Sequence, residues 1–419
     1  MSIMRVIRAL LVAAALGLGF VTSAGAQMVA QRGFIQATDT VFAHLVPNDQ
    51  DCQVLDTLYR QEIFVKPSSW LQFAAGFDFR ANTHEQVDYR WRLDFSDRTI
   101  LRPVAAVRRL EATITTKYLT VDVGKQFIRW GNADILNPTD RFAPRDYLNV
   151  IDTDLLPVLG ARAAVHFGTE TIEAVLVPRF TPSRLPLLNQ RWTVLPPEAA
   201  GLTILDGGSV LPNGSQRGAR WRHTGEHLDA SASVYDGFYN LASIDIRQLQ
   251  NTLKPTVELV RFYPRLRTFG GDVAVPTSWV TLKGEAAYFA SPDSTNHEYV
   301  LYVVELERQT GEWILSGGYI GESVTNSTGG AFRFAPDEGT AKSLIAHAAY
   351  TVDPRRTVAI EGAVRQTGDG AYVKGEFSNA MGGHWRVTFT GVAITGKDTD
   401  FIGQFNRNSN ASVTLRLSF

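Results

Sequence analysis

The C-terminal stretch Ala411-Ser-Val-Thr-Leu-Arg-Leu-Ser-Phe419 decides the fold class. Apolar and polar residues alternate strictly from Val413 to the end, and the chain finishes on an aromatic residue. A period of two predicts a β-strand with one apolar and one polar face. Such a strand can lie in lipid only when its sheet closes on itself, because an open edge would leave backbone groups without partners. The stretch therefore predicts the closing strand of a transmembrane barrel.

The other end of the chain predicts export. Residues 1–26 begin with Arg5 and Arg8, continue with an apolar run over 9–21, and end in small residues before Gln27. This is the pattern of a cleaved signal peptide, and because Gln27 is not a cysteine, no lipoprotein is predicted. Cleavage would leave 393 residues with 39 Lys and Arg against 42 Asp and Glu. A near-balanced charge argues against nucleic acid as a partner.

No later stretch reaches the roughly 18–20 consecutive apolar residues that a spanning helix needs. The single cysteine, Cys52, cannot form an internal disulfide, and we expect a free thiol in a loop. The mature protein is therefore either soluble and exported or a barrel.

The alternation of the C-terminal strand recurs along the chain, for example over 71–79, 110–114, 161–167, 302–306 and 385–393. A soluble β-sandwich would also alternate, but with its polar face outward. Periodicity alone does not decide which face is outside. The signal peptide and the terminal Phe419, which resembles the last residue of bacterial outer-membrane barrels, favour the barrel.

Connections between these strands are of two kinds. Short turns are predicted at 115–117, 168–170, 224–226, 276–278, 309–311, 353–355 and 380–383, and long loops at 128–159, 179–216, 237–255, 323–340 and 396–407. Outer-membrane barrels alternate short periplasmic turns with long external loops in this way. We predict an all-β fold, a single antiparallel transmembrane β-barrel of about 18 strands. Sixteen strands are the alternative, because 87–95 could be a strand or an extension into an external loop.

Aromatic residues cluster near the short turns. Amphipathic rings prefer the boundary between membrane and water, so we predict a periplasmic girdle. Its members would be Trp70, Trp279, Trp313, Tyr350, Trp385 and Phe419.

The most distinctive stretch is Gly124-Lys-Gln-Phe-Ile-Arg-Trp-Gly-Asn-Ala-Asp134, followed by Asn137-Pro-Thr-Asp140 and Pro144-Arg-Asp146. It resembles the Gly-x-Gln…Trp-Gly…Asp…Pro…Asp pattern of a poorly characterised family of Gram-negative outer-membrane porin-like β-barrel proteins, distantly similar to alginate-export channels. Some members look coupled to export of lipidic compounds. The resemblance covers most of the mature chain and implies an outer-membrane barrel with a transport role, without naming a solute.

The loop 128–159 carries mixed charges, a tryptophan and prolines such as Pro138 and Pro144, which favour an ordered loop that enters the lumen. Its charged groups could set pore selectivity, or they could pair merely to brace the loop. Asp152 and Asp154 are weak evidence for a cation site, and solvated charges are favoured there. The predicted constriction residues are Arg129, Trp130, Asp134, Asp140, Arg141, Arg145 and Asp146.

The lumen should be lined by inward polar residues of both signs, so no dedicated anion or cation channel is predicted. The candidates are Lys283, Glu285, Glu305, Glu307, Glu361, Arg365, Arg386 and Arg416, with Arg220, Arg222, Arg265 and Arg267 as further members. The loop 179–216 is rich in Pro and Leu. It either covers the barrel mouth and gives an apolar route for an amphipathic solute, or packs on itself or on lipopolysaccharide.

No catalytic or metal motif is present in the sequence, and no cofactor is predicted. Three functions stay open: a channel for small or amphipathic solutes, alone or within an export pathway; a lipase- or protease-like barrel enzyme; and a structural or adhesive barrel with a plugged lumen. The expected partners are outer-membrane lipid and lipopolysaccharide, the barrel-assembly machinery through the strand ending at Phe419, and an inner-membrane exporter. Residues 27–32 are too few for a plug domain.

Overall fold

The computed structural model describes residues 28–195, 199, 201–250, 254–327 and 332–419. The predicted signal peptide, 1–26, lies outside the described residues. Within them, 18 antiparallel strands close into one barrel, so the larger of the two predicted strand numbers is correct. Closure is made by the C-terminal strand, which pairs with the first strand from Phe34↔Ser418 to Phe42↔Asn410.

Seven further short strands lie in the connections between barrel strands in the described part of the chain. In chain order the strands are β1 (Val29–Phe42), β2 (Gln53–Ser68), β3 (Leu71–Asn82), β4 (Val87–Asp94), β5 (Arg102–Thr115), β6 (Leu119–Gln126), β7 (Arg145–Asp146), β8 (Asp154–Leu155), β9 (Val158–Phe167), β10 (Glu170–Val177), β11 (Thr203–Val210), β12 (Gln216–Thr224), β13 (Asp229–Phe238), β14 (Ser243–Leu249), β15 (Thr256–Phe262), β16 (Arg265–Pro276), β17 (Thr281–Ala290), β18 (Glu298–Thr310), β19 (Trp313–Asn326), β20 (Phe332–Arg333), β21 (Ser343–Asp353), β22 (Arg356–Arg365), β23 (Gly370–Met381), β24 (Trp385–Gly396) and β25 (Asn410–Ser418). A short α-helix, Pro336–Gly339, and a 3₁₀ helix, Gly403–Asn408, complete the described elements. Neither helix is long and apolar enough to cross a membrane, and the same holds for any helix of the described residues.

All predicted short turns lie at one end of the barrel, and the long loops lie at the other. The ambiguous stretch is a strand, β4, but it pairs in parallel with β5 inside the loop that follows β3, so it does not cross the membrane. The predicted loop 237–255 is longer and contains β14 and β15. These two strands form a small external sheet with β11 and β20. The strand β20 has two residues, too few for a period to be visible, and the seven or eight residues of β11, β14 and β15 carry the same period as barrel strands. Periodicity therefore does not tell loop strands from spanning strands.

The barrel wall has an apolar outer face and a polar inner face, as the alternation predicted. On β25, the outward side chains of Val413 and Leu415 are exposed by 44% and 41%, whereas Thr414 and Arg416 line a cavity in the lumen. The six predicted girdle aromatics lie at the short-turn end, where Trp313 packs against Tyr350 with ring centroids 4.7 Å apart. Cys52 is an exposed free thiol in the loop between β1 and β2.

Candidate functional site

Half of the lumen is filled by the loop between β6 and β9, which folds inward. Its Ile128, Trp130 and Phe142 are buried against inward side chains of β10 to β19, including Tyr235 and Leu301. Phe142 contacts both Trp130 and Tyr235 edge to face, with centroid distances of 5.0 Å in each pair. This dry aromatic packing excludes water, so solutes cannot pass through this half.

Two buried carboxylates of the barrel wall anchor that loop. Glu285, which is 2% exposed, accepts hydrogen bonds from the backbone N–H groups of Asn132 (2.9 Å), Ala133 (3.1 Å) and Thr139 (2.9 Å). Glu305 accepts in the same way from the N–H groups of 134 and 135, at 3.0 and 3.3 Å. A buried carboxylate is tolerated only when donors converge on it, and here the loop backbone supplies them. Both residues face the lumen as predicted, but their role is to hold the loop.

The predicted constriction residues brace the loop. Arg129 binds Asp140 at 3.1 Å, and Asp140 also accepts from the backbone N–H of Gly131 at 2.8 Å. Asp134 pairs with Lys283 of β17 at 2.7 Å. Within the described residues, none of the seven lines the open part of the lumen. Trp130 donates its indole N–H to Glu173, Arg141 stacks on Phe289, and Arg145 reaches the hydroxyl of Thr153.

Asp146 is the most buried of these charges, and two arginines neutralise it. Arg102 lies 2.9 Å and Arg184 3.1 Å from its carboxylate. Burial alone would raise the pKa of Asp146, but Arg102 and Arg184 outweigh it and hold that pKa at about 2. The carboxylate therefore stays ionised at any physiological pH and, through its ion pair with Arg102, holds the inward loop against β5.

The open part of the lumen is a cavity of about 570 Å³ on the opposite wall. Strands β23, β24, β25, β1, β2 and β3 form an arc on one side of it, and loop residues 148–154 close it on the other. The second half of the inward loop therefore runs as a chord across the barrel. The passage lies between this chord and the arc.

Near its C-terminal end the chord is tied by ion pairs to two parts of the wall. Asp154 lies 3.1 Å from each of Arg60, Arg80 and Arg108, on β2, β3 and β5. Two residues earlier, Asp152 lies 2.9 Å from the ammonium group of Lys374, on β23. Burial of Asp154 would raise its pKa, but the three guanidinium groups keep that pKa well below its usual range.

Sequence reasoning favoured solvated charges for Asp152 and Asp154, and their structural role was missed. A signal was present, because Asp78 and Arg80 occupy the polar face of β3 next to Arg60 on the polar face of β2. Asp78 lies 2.7 Å from Arg60 and completes the network. That signal indicated a cluster on the wall but did not say which loop residue joins it.

The cavity carries an excess of positive charge. Among the described residues that line it are seven Lys and Arg side chains and four Asp and Glu side chains, an excess of three. This differs from the prediction of a lining without a dominant sign. Most of these cations are paired with carboxylates. Within the described residues, Arg416 donates hydrogen bonds only to the amide oxygen of Gln36, at 2.6 and 3.0 Å, and stacks on the ring of Phe34. Arg386, in the same part of the chain, donates only to the hydroxyl of Ser378, at 3.5 Å.

The other predicted lumen residues fall into two groups. Most of them face the lumen in ion pairs: Lys283 with Glu307, Glu361 with Lys374 at 4.0 Å, Arg365 with Asp400, and Arg220 with Asp272. Arg222 lies on the same face of β12 as Arg220. Arg265 and Arg267 were wrongly placed, because they alternate with Leu266 and Thr268, which are buried inside. Both arginines lie on the outer face with Phe269.

The Pro- and Leu-rich loop between β10 and β12 packs largely on its neighbours. Phe180 and Leu185 form a buried cluster with Ala242 and Tyr263 of the next external loop. Trp192 packs against Phe405 and lines the cavity. Pro196 and Pro197 of the predicted loop lie outside the described residues. The described part of this loop therefore packs on neighbouring external loops and reaches the cavity through Trp192, while its role as an apolar route for a solute stays a prediction.

Among the described residues, two groups of side chains bring potential metal ligands close together. One group is Asp49, Asp51 and His84, and the other is His297, Glu322 and Glu338. In each an arginine already neutralises a carboxylate: Arg191 lies 3.4 Å from Asp49, and Arg333 binds Glu338. An arginine in that position competes with a cation, so we assign no metal to either group.

Comparison with solved structures places this architecture. The chain is similar to OpdK of Pseudomonas aeruginosa, with 11% sequence identity and a TM-score of 0.51 over 94% of this chain and 99% of OpdK. It is also similar to OccK5 of the same organism, with 9% identity and a TM-score of 0.53 over 94% of this chain and 97% of OccK5. A third similar structure is OccAB4 of Acinetobacter baumannii, with 9% identity and a TM-score of 0.52 over 94% of this chain and 99% of OccAB4. The chain has the fold of an outer-membrane barrel. The exposed apolar side chains of its outer belt agree with that fold.

No family model matches the sequence, and no curated protein matches it. The resemblance to alginate-export channels, which rests on residues 124–146, therefore stays a prediction.

Proposed function

We propose that the protein is an outer-membrane channel for small organic anions, carboxylates in particular. The observation that carries the proposal is the pair Arg386 and Arg416, which face the cavity without an acidic partner among the described residues. Arg60 and Arg386 both lie close enough to Arg416 to repel it electrostatically. Arg386 and Arg416 stand opposite each other in the strand register, so an anion that enters between these two like charges is stabilised by both.

Size and chemistry support the same class of solute. A cavity of about 570 Å³ falls within the range of ~300–1,000 Å³ that is typical of sites for small molecules. A guanidinium binds a carboxylate through two parallel hydrogen bonds, and the free N–H groups of Arg386 and Arg416 are available for this. OpdK, a structural neighbour, has been solved with vanillate, which is a small aromatic carboxylate.

The proposal is tested by the reversal potential of the purified protein in a planar bilayer under a KCl gradient. We expect discrete conductance steps, a preference for anions, and a reduced current when benzoate or vanillate is added. The double variant R386Q/R416Q should lose most of the anion preference and the block by benzoate, since it removes two of the three excess charges.

Arg265→Gln is the matched control, because it makes the same chemical change on the outer face of the barrel. Its reversal potential should equal that of the unaltered protein. Cation preference in the unaltered protein would overturn the proposed solute class. Absence of any conductance would overturn the channel itself and favour the enzyme or the plugged barrel.

A further inference from the structure

We propose that Arg217, Arg265 and Arg267 form an outward-facing site for the phosphate groups of lipopolysaccharide. The three residues lie on β12 and β16, on either side of β13. Asp236 of β13 stands directly opposite both Arg217 and Arg267 in the strand register. The site is on the outside of the wall, so it is independent of the proposed channel function.

The arginines surround one carboxylate and keep most of their donors free. Asp236 lies 3.1 Å from Arg217, 3.4 Å from Arg265 and 3.8 Å from Arg267. Its side chain is only 15% exposed, whereas those of the arginines are 72%, 54% and 47% exposed. Each guanidinium has five N–H donors, so the single carboxylate of Asp236 cannot accept hydrogen bonds from all the donors of three guanidinium groups. The remaining donors point to the surroundings of the barrel.

The height of the site on the wall selects a lipid. On the same face, Phe269 and Val273 follow Arg267 and are exposed by 50% and 41%, as expected for side chains that contact acyl chains. Arg265 and Arg267 stand at the loop end of β16, and long loops mark the external side of such barrels. The site therefore lies where the apolar belt meets the headgroups of the outer leaflet.

Charge selects a phosphate. Three cations converge on one carboxylate, that of Asp236, while Asp293 accepts a hydrogen bond from the backbone N–H of Arg265 at 3.3 Å. By contrast, the outward positions at the loop ends of β21, β22 and β24 are uncharged: Leu344, Val364 and Thr395. Arginine matches the geometry of a phosphate in two-point hydrogen bonding, and an anion bridging these strands would relieve their mutual repulsion.

The experiment titrates the full-length protein in detergent with bisphosphorylated lipid A and with the same lipid after enzymatic removal of both phosphates, followed by native mass spectrometry. We expect the unaltered protein to bind the phosphorylated lipid at least about tenfold more tightly than the phosphate-free one. The triple variant R217Q/R265Q/R267Q should lose that difference. Asp236→Asn should bind the phosphorylated lipid more tightly, because it removes the competing carboxylate.

Heat-modifiable migration on a gel and an unchanged single-channel conductance would show that the variants are folded. The control L344Q/V364Q changes polarity at the same height on another part of the wall and should keep the preference for phosphate. Equal affinity of the unaltered protein for both lipids would overturn the proposal. So would a triple variant that still prefers the phosphorylated lipid as strongly.

Discussion

Replacement of Asp154 by asparagine tests whether the chord across the lumen is held by its ion pairs. The substitution keeps size and shape but removes the negative charge between Arg60, Arg80 and Arg108. The loss of one partner of a buried ion pair costs about 3–5 kcal/mol. The side chain of Asp154 is 34% exposed, so solvent screening lowers our expectation to about 1–3 kcal/mol.

This loss should appear as local opening of the loop. The N–H of Leu156 is bonded to the carbonyl of Pro144 at 2.8 Å, and β7 pairs with β8 through Asp146 and Asp154. A weakening of about 1–3 kcal/mol raises the population in which these bonds are open by about 5- to 150-fold. Hydrogen exchange of peptides that cover residues 154–157, read by mass spectrometry, should accelerate by the same factor.

Asp134→Asn provides the control, because it makes the same substitution in the same loop. Its side chain is 58% exposed and forms an ion pair with Lys283, so solvent screening limits the expected cost to about 0–1 kcal/mol. Equal exchange at 154–157 in the two variants would refute the assignment of Asp154 as the tether. An unchanged rate in Asp154→Asn would do so too.

Three further predictions concern the packing of the same loop. Glu285→Gln removes the negative charge to which three backbone N–H groups donate, so the free energy of unfolding, measured by thermal denaturation, should fall by about 2–3 kcal/mol. The control Glu307→Gln alters a partly exposed side chain and should change that free energy by less than about 1 kcal/mol. The folded-state pKa of Asp146 is lowered to about 2 from 3.8, so the stability that its ionised form adds to the fold is complete above pH 4 and is lost as the pH falls towards 2. Hydrogen exchange of the loop amides, corrected for intrinsic rates, should therefore be constant from pH 7 to 4 and faster below pH 4. Gly218→Ala would place a methyl group 2.6 Å from the Trp130 ring, so tryptophan fluorescence and thermal stability should change; unaltered values would contradict the packing.

The sequence by itself determined the closed barrel and the positions of its short turns. Alternation is a local property of consecutive residues, and lipid outside with water inside turns it directly into outward and inward faces, as on β25. The same rule failed for Arg265 and Arg267, where a shift of one residue in the assumed face reverses every side chain of a strand. The strand β4 was ambiguous because a short loop strand and a spanning strand share one period.

Only the tertiary structure decided which charges line the passage. Asp152 and Lys374 meet although 222 residues separate them, and Arg80 meets Asp154 across 74. Each of these partners is an ordinary charged residue in its local sequence, and many arginines could have paired with either aspartate. Closure of the barrel brings β23 and β3 to the two ends of one arc, and the length of the inward loop lets it span the gap between them. The pairing is therefore set by closure and loop reach, which no local pattern records.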